Sequence, residues 1–325
     1  MSIPKVSIII PTYQQVIYLK RLLDSIQCQQ FEDYEVIIND DSYTDDVKQL
    51  VATYSFGGRL RYHHNQPALG NPVNWNIAIK RARGEYIKVM MHDDWFIDNS
   101  SLGKFVQLLD HHPEAQFGFA VQEIWHAQEK RSEISILTRR QQKKLAQFPE
   151  WLFFNNYVGV PSATIFRRTL NQFFDPKLKY KVDLEFALRA IKSNKRFAYH
   201  PAPLVRVPVG LSFQITNECV NNKHIELFEA AHIFNKLAYK KSDPRFFYFW
   251  MKFLHAHGIE DNDPDFQNIC EAYPAIANYL VVAQKGSKLY RKYLKKLGIR
   301  HYYLVGKRLW KKIQPSQSLK NVVGQ

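Results

Sequence analysis

Hydrophobic residues in the first hundred positions alternate between short continuous runs and sets with helical spacing. The runs that predict buried strands lie at 6–10, 36–39, 59–63 and 86–91. The stretches that predict helices lie at 18–26, 44–51 and 71–82. Such strand–helix alternation with short connections predicts an α/β fold, in which a mainly parallel sheet is flanked by helices on both faces.

The pattern continues less regularly beyond residue 98. It predicts helices over 102–110 and 183–191, and strands over 117–121 and 163–166. From about residue 220 onward the pattern becomes helical and aromatic. We therefore expect a change of architecture near 215–220.

Composition favours a folded, reduced protein. Hydrophobic residues make up 46% and aromatic residues 14% of the 325 residues, which supplies a packed core and argues against disorder. Cys28, Cys219 and Cys270 form no CxxC spacing, so neither a zinc knuckle nor a disulfide framework is predicted. The start of the chain lacks the features of a secretory signal, and no apolar run reaches the roughly 18 residues that a spanning helix needs. A soluble or peripheral protein is expected.

The positive charge is concentrated at the end of the chain. Of the net charge of +15, the segment after Glu271 contributes 12 basic residues and no acidic ones, which leaves +3 for the rest. Between 285 and 313 these basic residues share helical repeats with Leu and Tyr, a pattern typical of helices that adsorb to anionic bilayers. The alternative is a solvated helix that packs on the preceding domain. No motif predicts nucleic-acid binding.

Two pairs of adjacent carboxylates provide the main chemical signal. Asp40-Asp41 and Asp93-Asp94 each follow an apolar run that predicts a buried strand. Neighbouring carboxylates repel and are costly to dehydrate, so a divalent cation or a ligand rich in hydrogen-bond donors is needed to favour them. In open parallel sheets, ligands bind at the carboxyl ends of the strands. The alternative is that each pair simply forms a turn or a helix cap.

Several motifs occur in an order that resembles family 2 glycosyltransferases, which have the GT-A nucleotide-sugar fold. The segments that carry the resemblance are Val6–Tyr13, Glu35–Asp45, Asn65, Gly70, Asn76 and Ala82–Ile87. The resemblance assigns the donor nucleotide sugar to Pro11, Thr12, Tyr13, Asp40 and Asp41 at the strand ends and to Asn76 in the stretch that leads to the metal motif. It makes Asp40 the acceptor of a hydrogen bond from the nucleotide base.

The expected metal motif departs from the common Asp-x-Asp of this family. Met91 stands at the first aspartate position, and Asp93 at the last. The resemblance implies that Asp93 binds Mg²⁺ or Mn²⁺, which would neutralise charge on the nucleoside-diphosphate leaving group. Asp94 would assist through the water shell or position the acceptor, and His92 is a further donor-side candidate.

The resemblance also implies a catalytic base. Asp183 matches the later acidic motif of the family at a helix start, where it would take the proton of an acceptor hydroxyl in a single inverting displacement. Glu185 is the weaker candidate because it would point elsewhere on a helix. A plain helix-start aspartate is the alternative for Asp183. Arg206 is expected to supply positive charge near the diphosphate, since Pro208 stands where many relatives have a histidine.

We therefore predict an inverting, metal-dependent glycosyltransferase of bacterial capsule, O-antigen or exopolysaccharide synthesis. A GT-A domain over 1–218 would comprise a nucleotide-sugar half (about 1–98) and an acceptor half (about 99–218), followed by a helical region over 219–325. We expect a glycan or lipid-linked acceptor and a location in the cytoplasm, peripheral on the inner membrane through 285–313.

Two other classes stay open. A non-catalytic sugar-nucleotide-binding subunit is favoured by Met91 and Pro208 and opposed by Asp93 and Asp183. A nucleotidyltransferase would normally have a glycine-rich loop after the first strand, and residues 11–15 contain no glycine.

Overall fold

A computed structural model describes residues 3–126, 128–237 and 243–294. It divides into two compact units, one that ends at Cys219 and one that begins at Val220. In the described part of the chain, no helix combines the length and the apolar character needed to cross a bilayer.

The first unit contains a nine-stranded sheet and its helices. The strands are β1 (Val6–Thr12), β2 (Tyr34–Asp40), β3 (Leu60–His64), β4 (Tyr86–Val89), β5 (Trp95–Phe96), β6 (Phe117–His126), β7 (Arg131–Ile134), β8 (Thr164–Arg167) and β9 (Ala198–Val209). The helices are α1 (Val16–Gln27), α2 (Asp46–Ala52), α3 (Val73–Arg81), α4 (Ser101–Asp110), α5 (Arg139–Gln147), α6 (Val182–Asn194) and α7 (Thr216–Cys219). Short 3₁₀ turns lie at Phe56–Gly58, Pro149–Phe153, Pro161–Ala163 and Arg168–Leu170.

The sheet has a parallel half and a mixed half. Its order is β3-β2-β1-β4-β8-β6-β9-β5, and β7 pairs with β6. Strands β1 to β4 pair in parallel, whereas β8 is antiparallel to both β4 and β6, and β5 is antiparallel to β9. Because β1, β2 and β4 run in the same direction, the loops that follow them leave the sheet at one edge.

The parallel half is buried on both faces, as its continuous apolar runs predict. Ile8, Ile9 and Ile10 of β1 are fully buried, and so are the central residues of β2. Gly84 lies so close to β1 that an added Cβ would stand 2.6 Å from the Ser7 backbone nitrogen. Only glycine fits at this turn, which brings β4 alongside β1.

The second unit is helical. It contains α8 (Lys223–Lys236), α9 (Pro244–Ala256), α10 (Pro264–Ala272) and α11 (Pro274–Leu294). Trp250 and Phe247 of α9 are fully buried, and an added Cβ on Gly286 of α11 would meet Met251 at 2.7 Å, so α9 and α11 pack closely. Lys288 forms ion pairs with Glu260 and Asp261 in the same unit. Of the predicted basic tail, residues 295–313 lie outside the described residues.

Candidate active site

The loops after β1 and β4 bring unsatisfied polar atoms to the carboxyl edge of the sheet. Within the described chain, Oγ1 of Thr12, Nε2 of Gln14 and Nε2 of His92 are buried and have no hydrogen-bond partner. Buried polar atoms are nearly always paired in folded proteins, so such a group indicates where a polar ligand binds. The two strands are neighbours, and these loops therefore open on a common site.

Asp40 is a buried carboxylate that already holds three hydrogen bonds. Its Oδ1 accepts from the backbone N–H and the hydroxyl of Ser42 at 2.9 and 2.6 Å, and its Oδ2 accepts from the Tyr62 hydroxyl at 2.7 Å. Burial and this contact raise the pKa of Tyr62, which therefore remains a donor. A carboxylate has about four acceptor positions, so Oδ2 keeps room for one further donor such as a base N–H.

Asp41 organises the loop between β3 and α3. Its Oδ1 accepts from Nδ2 of Asn65 at 2.8 Å and the backbone N–H of Leu69 at 3.2 Å, and its Oδ2 accepts from the N–H of Gly70 at 2.8 Å. Hydrogen bonds within the fold therefore already occupy most acceptor positions of the buried Asp41 carboxylate. Asn39 and Asn74 extend this polar network through hydrogen bonds of their own.

The other donor-side residues of the sequence analysis fall into different surroundings. Pro11 is buried in β1 and pairs with Asn39 in register, whereas Tyr13 is 49% exposed. The ring of Tyr43, 78% exposed, stands edge-on to Tyr13 at 6.2 Å. These two exposed tyrosines follow the carboxyl ends of β1 and β2, and Tyr43 falls within the segment Glu35–Asp45 that carries the family resemblance.

The side-chain amide of Asn76 is bonded to the backbone of Phe174. Its Nδ2 donates to the Phe174 carbonyl and its Oδ1 accepts from the Phe174 backbone N–H, both at 2.8 Å. Both polar atoms of the amide are therefore used in fastening α3 to the segment before α6.

Asp93 is partly exposed and bonded by a residue that the sequence analysis did not single out. Nε2 of Gln214 donates to Oδ2 of Asp93 at 2.9 Å and to the Pro208 carbonyl at 2.8 Å. Gln214 thus ties the acidic loop after β4 to the loop after β9. Gln214 follows β9, and nothing in its surroundings marks it out in the sequence.

The buried side chain of Asp94 lies near a second buried ionisable group, Lys88. Burial and the neighbouring Asp93 raise the pKa of Asp94 well above its usual range, although a hydrogen bond with Ser162 and the charge of Lys88 oppose this shift. Lys88 in β4 is fully buried, and its Nζ donates to the carbonyls of Ser162 and, at 3.0 Å, Val89. Burial lowers the pKa of Lys88 well below its usual range, against the attraction of Asp94. Burial therefore favours the uncharged forms of both Asp94 and Lys88.

Asp183 stands in the first turn of α6, next to a polar loop. Its Oδ1 accepts from the Leu184 N–H at 2.8 Å, and its Oδ2 accepts from Nδ2 of Asn156 at 3.1 Å. The side chain keeps part of its surface open to solvent, but the protein crowded around its carboxyl raises the pKa of Asp183 to about 6. Glu185, in contrast, is fully buried and paired with Arg189 at 2.5 Å.

The segment 156–162 contacts a carboxylate at each of its ends, Asp183 at one and Asp94 at the other. Asn156 at its start bonds Asp183, while Oγ of Ser162 at its end accepts from the Met91 N–H at 2.8 Å and also bonds Asp94. Five residues thus separate the residue that contacts α6 from the residue that contacts the loop after β4. This segment gives the structural reason to consider Asp93 and Asp183 parts of one site.

Arg206 does not carry a free positive charge. Its guanidinium donates to both carboxylate oxygens of Glu123, at 2.8 and 3.2 Å. Burial opposes ionisation of Glu123, but the bonds from Arg206 and Ser132 outweigh it and lower the pKa of Glu123. The pair fastens β9 to β6.

The residues present suit a metal ion whose remaining coordination positions are filled by a bound ligand. Over 3–126, 128–237 and 243–294, no three His, Cys, Asp or Glu side chains are grouped to hold a metal ion by themselves. Mg²⁺ and Mn²⁺ at nucleotide sites often take one or two carboxylates, with phosphate oxygens and water for the remaining positions. Asp93 meets this need, because Gln214 occupies Oδ2 and leaves Oδ1 open.

Comparison with known families gives the class of this site. The family model described as glycosyl transferase family 2 matches residues 7–174, which covers β1 to β8 and both acidic pairs. The chain belongs to this family. The GT-A fold predicted from the sequence is likewise confirmed by solved structures.

Individual relatives match over shorter stretches. A GalNAc(5)-diNAcBac-PP-undecaprenol beta-1,3-glucosyltransferase of Campylobacter jejuni is 36% identical over 93 residues, which is 28% of this chain and 30% of that protein. The chain thus matches under a third of the length of that relative.

Two solved structures share the fold. TarS of S. aureus (residues 1–349), in complex with UDP-GlcNAc, has a TM-score of 0.54 at 17% identity, and the match covers 96% of this chain and 82% of that one. A mannosyltransferase of Pyrobaculum calidifontis, in complex with GDP-Man and Mn²⁺, has a TM-score of 0.54 at 18% identity, covering 96% and 89% respectively.

Proposed function

We propose that the protein transfers a sugar from a nucleoside-diphosphate sugar to a hydroxyl of a glycan or lipid-linked acceptor, with inversion at the anomeric carbon. The observation that carries this proposal is Asp183, a partly exposed carboxylate whose pKa is raised to about 6. A carboxylate with such a pKa is ionised at neutral pH, yet it is a stronger base than an ordinary aspartate.

In this proposal the donor binds at the carboxyl ends of β1, β2 and β4. The base stacks beside Tyr13 and Tyr43 and donates an N–H to the remaining position on Asp40. Oγ1 of Thr12 and Nε2 of His92, which lack partners in the described chain, bond the donor. The nucleotide complexes of TarS and the mannosyltransferase support a donor of this class.

Asp93 would hold Mg²⁺ or Mn²⁺ through Oδ1, and the ion would stabilise charge on the departing diphosphate. Gln214 keeps the carboxylate of Asp93 oriented, while Ser162 holds the loop through hydrogen bonds with Met91 and Asp94. Asp183 takes the proton of the acceptor hydroxyl as its oxygen attacks the anomeric carbon. A single displacement of this kind inverts the configuration and needs no covalent intermediate.

We further propose a setting in bacterial surface-polysaccharide synthesis, at the cytoplasmic face of the inner membrane. The Campylobacter relative, whose name specifies an undecaprenol-linked substrate, supports a lipid-linked acceptor. The basic residues between 285 and 313 would bind anionic lipid.

The test is donor hydrolysis, in which water takes the place of the acceptor. Purified protein is incubated with UDP-, GDP-, dTDP- and CMP-sugars, with and without Mn²⁺, and nucleotide release is measured. We expect release from donors of one base, and a loss of roughly a thousandfold in Asp183→Asn. Asp46→Asn, which changes an exposed aspartate in the first turn of α2, is the matched control and should retain full activity. Unchanged release in Asp183→Asn would contradict the proposal and favour a non-catalytic sugar-nucleotide-binding subunit.

A further inference from the structure

We infer that Tyr18, Arg21, His92, Trp95 and Phe213 form a subsite for an acceptor that carries a phosphate group beside its terminal sugar. We call these five side chains the aromatic–arginine cluster. The inference rests on the proposed function, because it places the acceptor next to a donor held at Asp93.

Arg21 is the charged member of the cluster. Its guanidinium carbon lies 4.6 Å from the centre of the Trp95 ring and 6.0 Å from that of Tyr18. Stacking on an aromatic face orients the guanidinium and leaves its N–H groups, which lie in its plane, available for a ligand. Planar N–H pairs of this kind bind phosphate oxygens in a bidentate manner.

No acidic side chain in the described segments forms an ion pair with Arg21. Asp24, one helical turn further along α1, accepts instead from Nζ of Lys20 at 2.7 Å and from the Tyr54 hydroxyl at 2.6 Å. The exposed Arg21 therefore keeps its full charge for an anion from outside the protein. Arg206, by comparison, is neutralised by Glu123.

The aromatic members continue from Arg21 to the acidic loop. The centre of the Phe213 ring lies 5.1 Å from that of Tyr18 and 6.1 Å from that of His92, and its plane is tilted by 30° to the imidazole. Each of these rings is partly exposed. Partly exposed aromatic faces beside polar atoms suit a sugar ring, which has apolar C–H faces and hydroxyl edges.

The cluster is adjacent to the candidate metal ligand. His92 and Trp95 flank the pair Asp93-Asp94 in the chain, and Gln214, which follows Phe213, donates to Asp93. An acceptor sugar on these rings would therefore lie next to the donor, with its phosphate at Arg21. This order fits a saccharide linked through phosphate or diphosphate to a carrier.

A phosphate at Arg21 has two conceivable sources, the acceptor and the donor nucleotide. The experiment therefore measures both by calorimetry. One arm titrates UDP and GDP with Mn²⁺. The other titrates farnesyl-diphosphosugars of glucose, galactose, N-acetylglucosamine and N-acetylgalactosamine into protein saturated with nucleotide and Mn²⁺. Farnesyl glycosides of the same sugars, which lack the phosphates, serve as the matched ligands.

We expect at least one diphosphosugar to bind at least tenfold more tightly than its phosphate-free glycoside. Arg21→Gln should remove that advantage, while the affinity for nucleotide changes less than twofold. Lys20→Gln is the control, because it removes the same charge from the neighbouring position, where the ammonium is paired with Asp24. Trp95→Phe, which keeps a ring under Arg21, should retain more acceptor affinity than Trp95→Ala.

Three results would overturn the inference. The first is that the wild type binds nucleotide but none of the diphosphosugars. The second is that Arg21→Gln weakens nucleotide instead, which would assign the phosphate to the donor. The third is that Lys20→Gln has the same effect as Arg21→Gln. Failure of the wild type to bind any nucleotide would instead contradict the proposed function itself.

Discussion

The two acidic pairs of this protein resemble each other in sequence and differ in structure. Asp40-Asp41 and Asp93-Asp94 both follow a buried strand of the parallel half of the sheet. The first pair receives six hydrogen bonds from nearby side chains and backbone. Asp93, in contrast, receives one bond from Gln214. Adjacent carboxylates therefore indicate a site only where the fold leaves part of their acceptor capacity unused.

The pairs also differ in what lies beneath them. Asp41 is surrounded by donors that carry no charge, namely the Asn65 amide and two backbone N–H groups. Asp94 instead lies near the buried amine of Lys88. The first arrangement fixes a loop, and the second lies next to the partly exposed Asp93. The predictions below test this contrast.

The largest effect is expected from Lys88→Met. The substitution removes the donor for the buried carbonyls of Ser162 and Val89, so the free energy of unfolding should fall by about 3 kcal/mol. Urea unfolding of the single variants and of Lys88→Met/Asp94→Asn measures the coupling between the two residues. The double variant should lose less stability than Lys88→Met alone. Strictly additive losses would contradict an electrostatic coupling between Lys88 and Asp94.

Asp41→Ala should destabilise the protein by about 2 kcal/mol, because Nδ2 of Asn65 and the N–H groups of Leu69 and Gly70 lose their acceptor. Chemical unfolding measures the loss, and Asp46→Ala, at an exposed position, should cost less than about 0.5 kcal/mol. The strengthening of nucleotide binding by Mn²⁺ should survive in folded Asp41→Ala. Its disappearance would mean that the first pair also binds the metal.

Some strands of the sheet were predictable from the sequence and others were not. The continuous apolar runs of β1 and β2 identify buried parallel strands, because few other structures bury every residue of such a run. The twelve-residue β9 was missed: it contains three prolines, which argue against a strand. The exposed polar β7 lacks an apolar pattern altogether.

The site was predictable in part. The sequence identifies carboxylates at strand ends, but it cannot tell which of them the fold will saturate, since four of the six hydrogen bonds to Asp40 and Asp41 come from residues 22 to 29 positions away. The contact between Gln214 and Asp93 spans 121 positions, and a glutamine in a loop carries no signal of its own. Such pairings depend on tertiary structure.

Gln214→Ala should have a smaller effect, which falls on Asp93 alone. Loss of one hydrogen bond to the carboxylate is worth about 1 kcal/mol, so the enhancement of nucleotide binding by Mn²⁺ should fall about fivefold. Titrations with and without Mn²⁺ measure this ratio. Gln142→Ala, in the exposed α5 region, is the control. An increase in the ratio would show that Gln214 competes with the metal.

The smallest expected effect is a pH-dependent change in the free energy of unfolding, caused by Asp183. The pKa of Asp183 is raised to about 6 in the folded protein against about 3.8 in an unfolded chain, so ionisation of its carboxyl disfavours the fold. This cost is absent below pH 4, grows as the pH rises to 6 and is complete above it. Asp183→Asn should therefore stabilise the protein by up to about 1 kcal/mol at pH 8 and by less at pH 5. Thermal unfolding at both values measures the difference; equal effects would contradict the raised pKa.

Calorimetric titration with UDP, GDP, dTDP and CMP, each with and without Mn²⁺, tests the central claim most directly. It compares the wild type with Asp93→Asn and Asp41→Asn. We expect one nucleotide to bind at least tenfold more tightly with Mn²⁺, and expect that gain to vanish in Asp93→Asn but persist in Asp41→Asn. A gain that survives in Asp93→Asn, or no binding of any nucleotide by the wild type, would contradict the account.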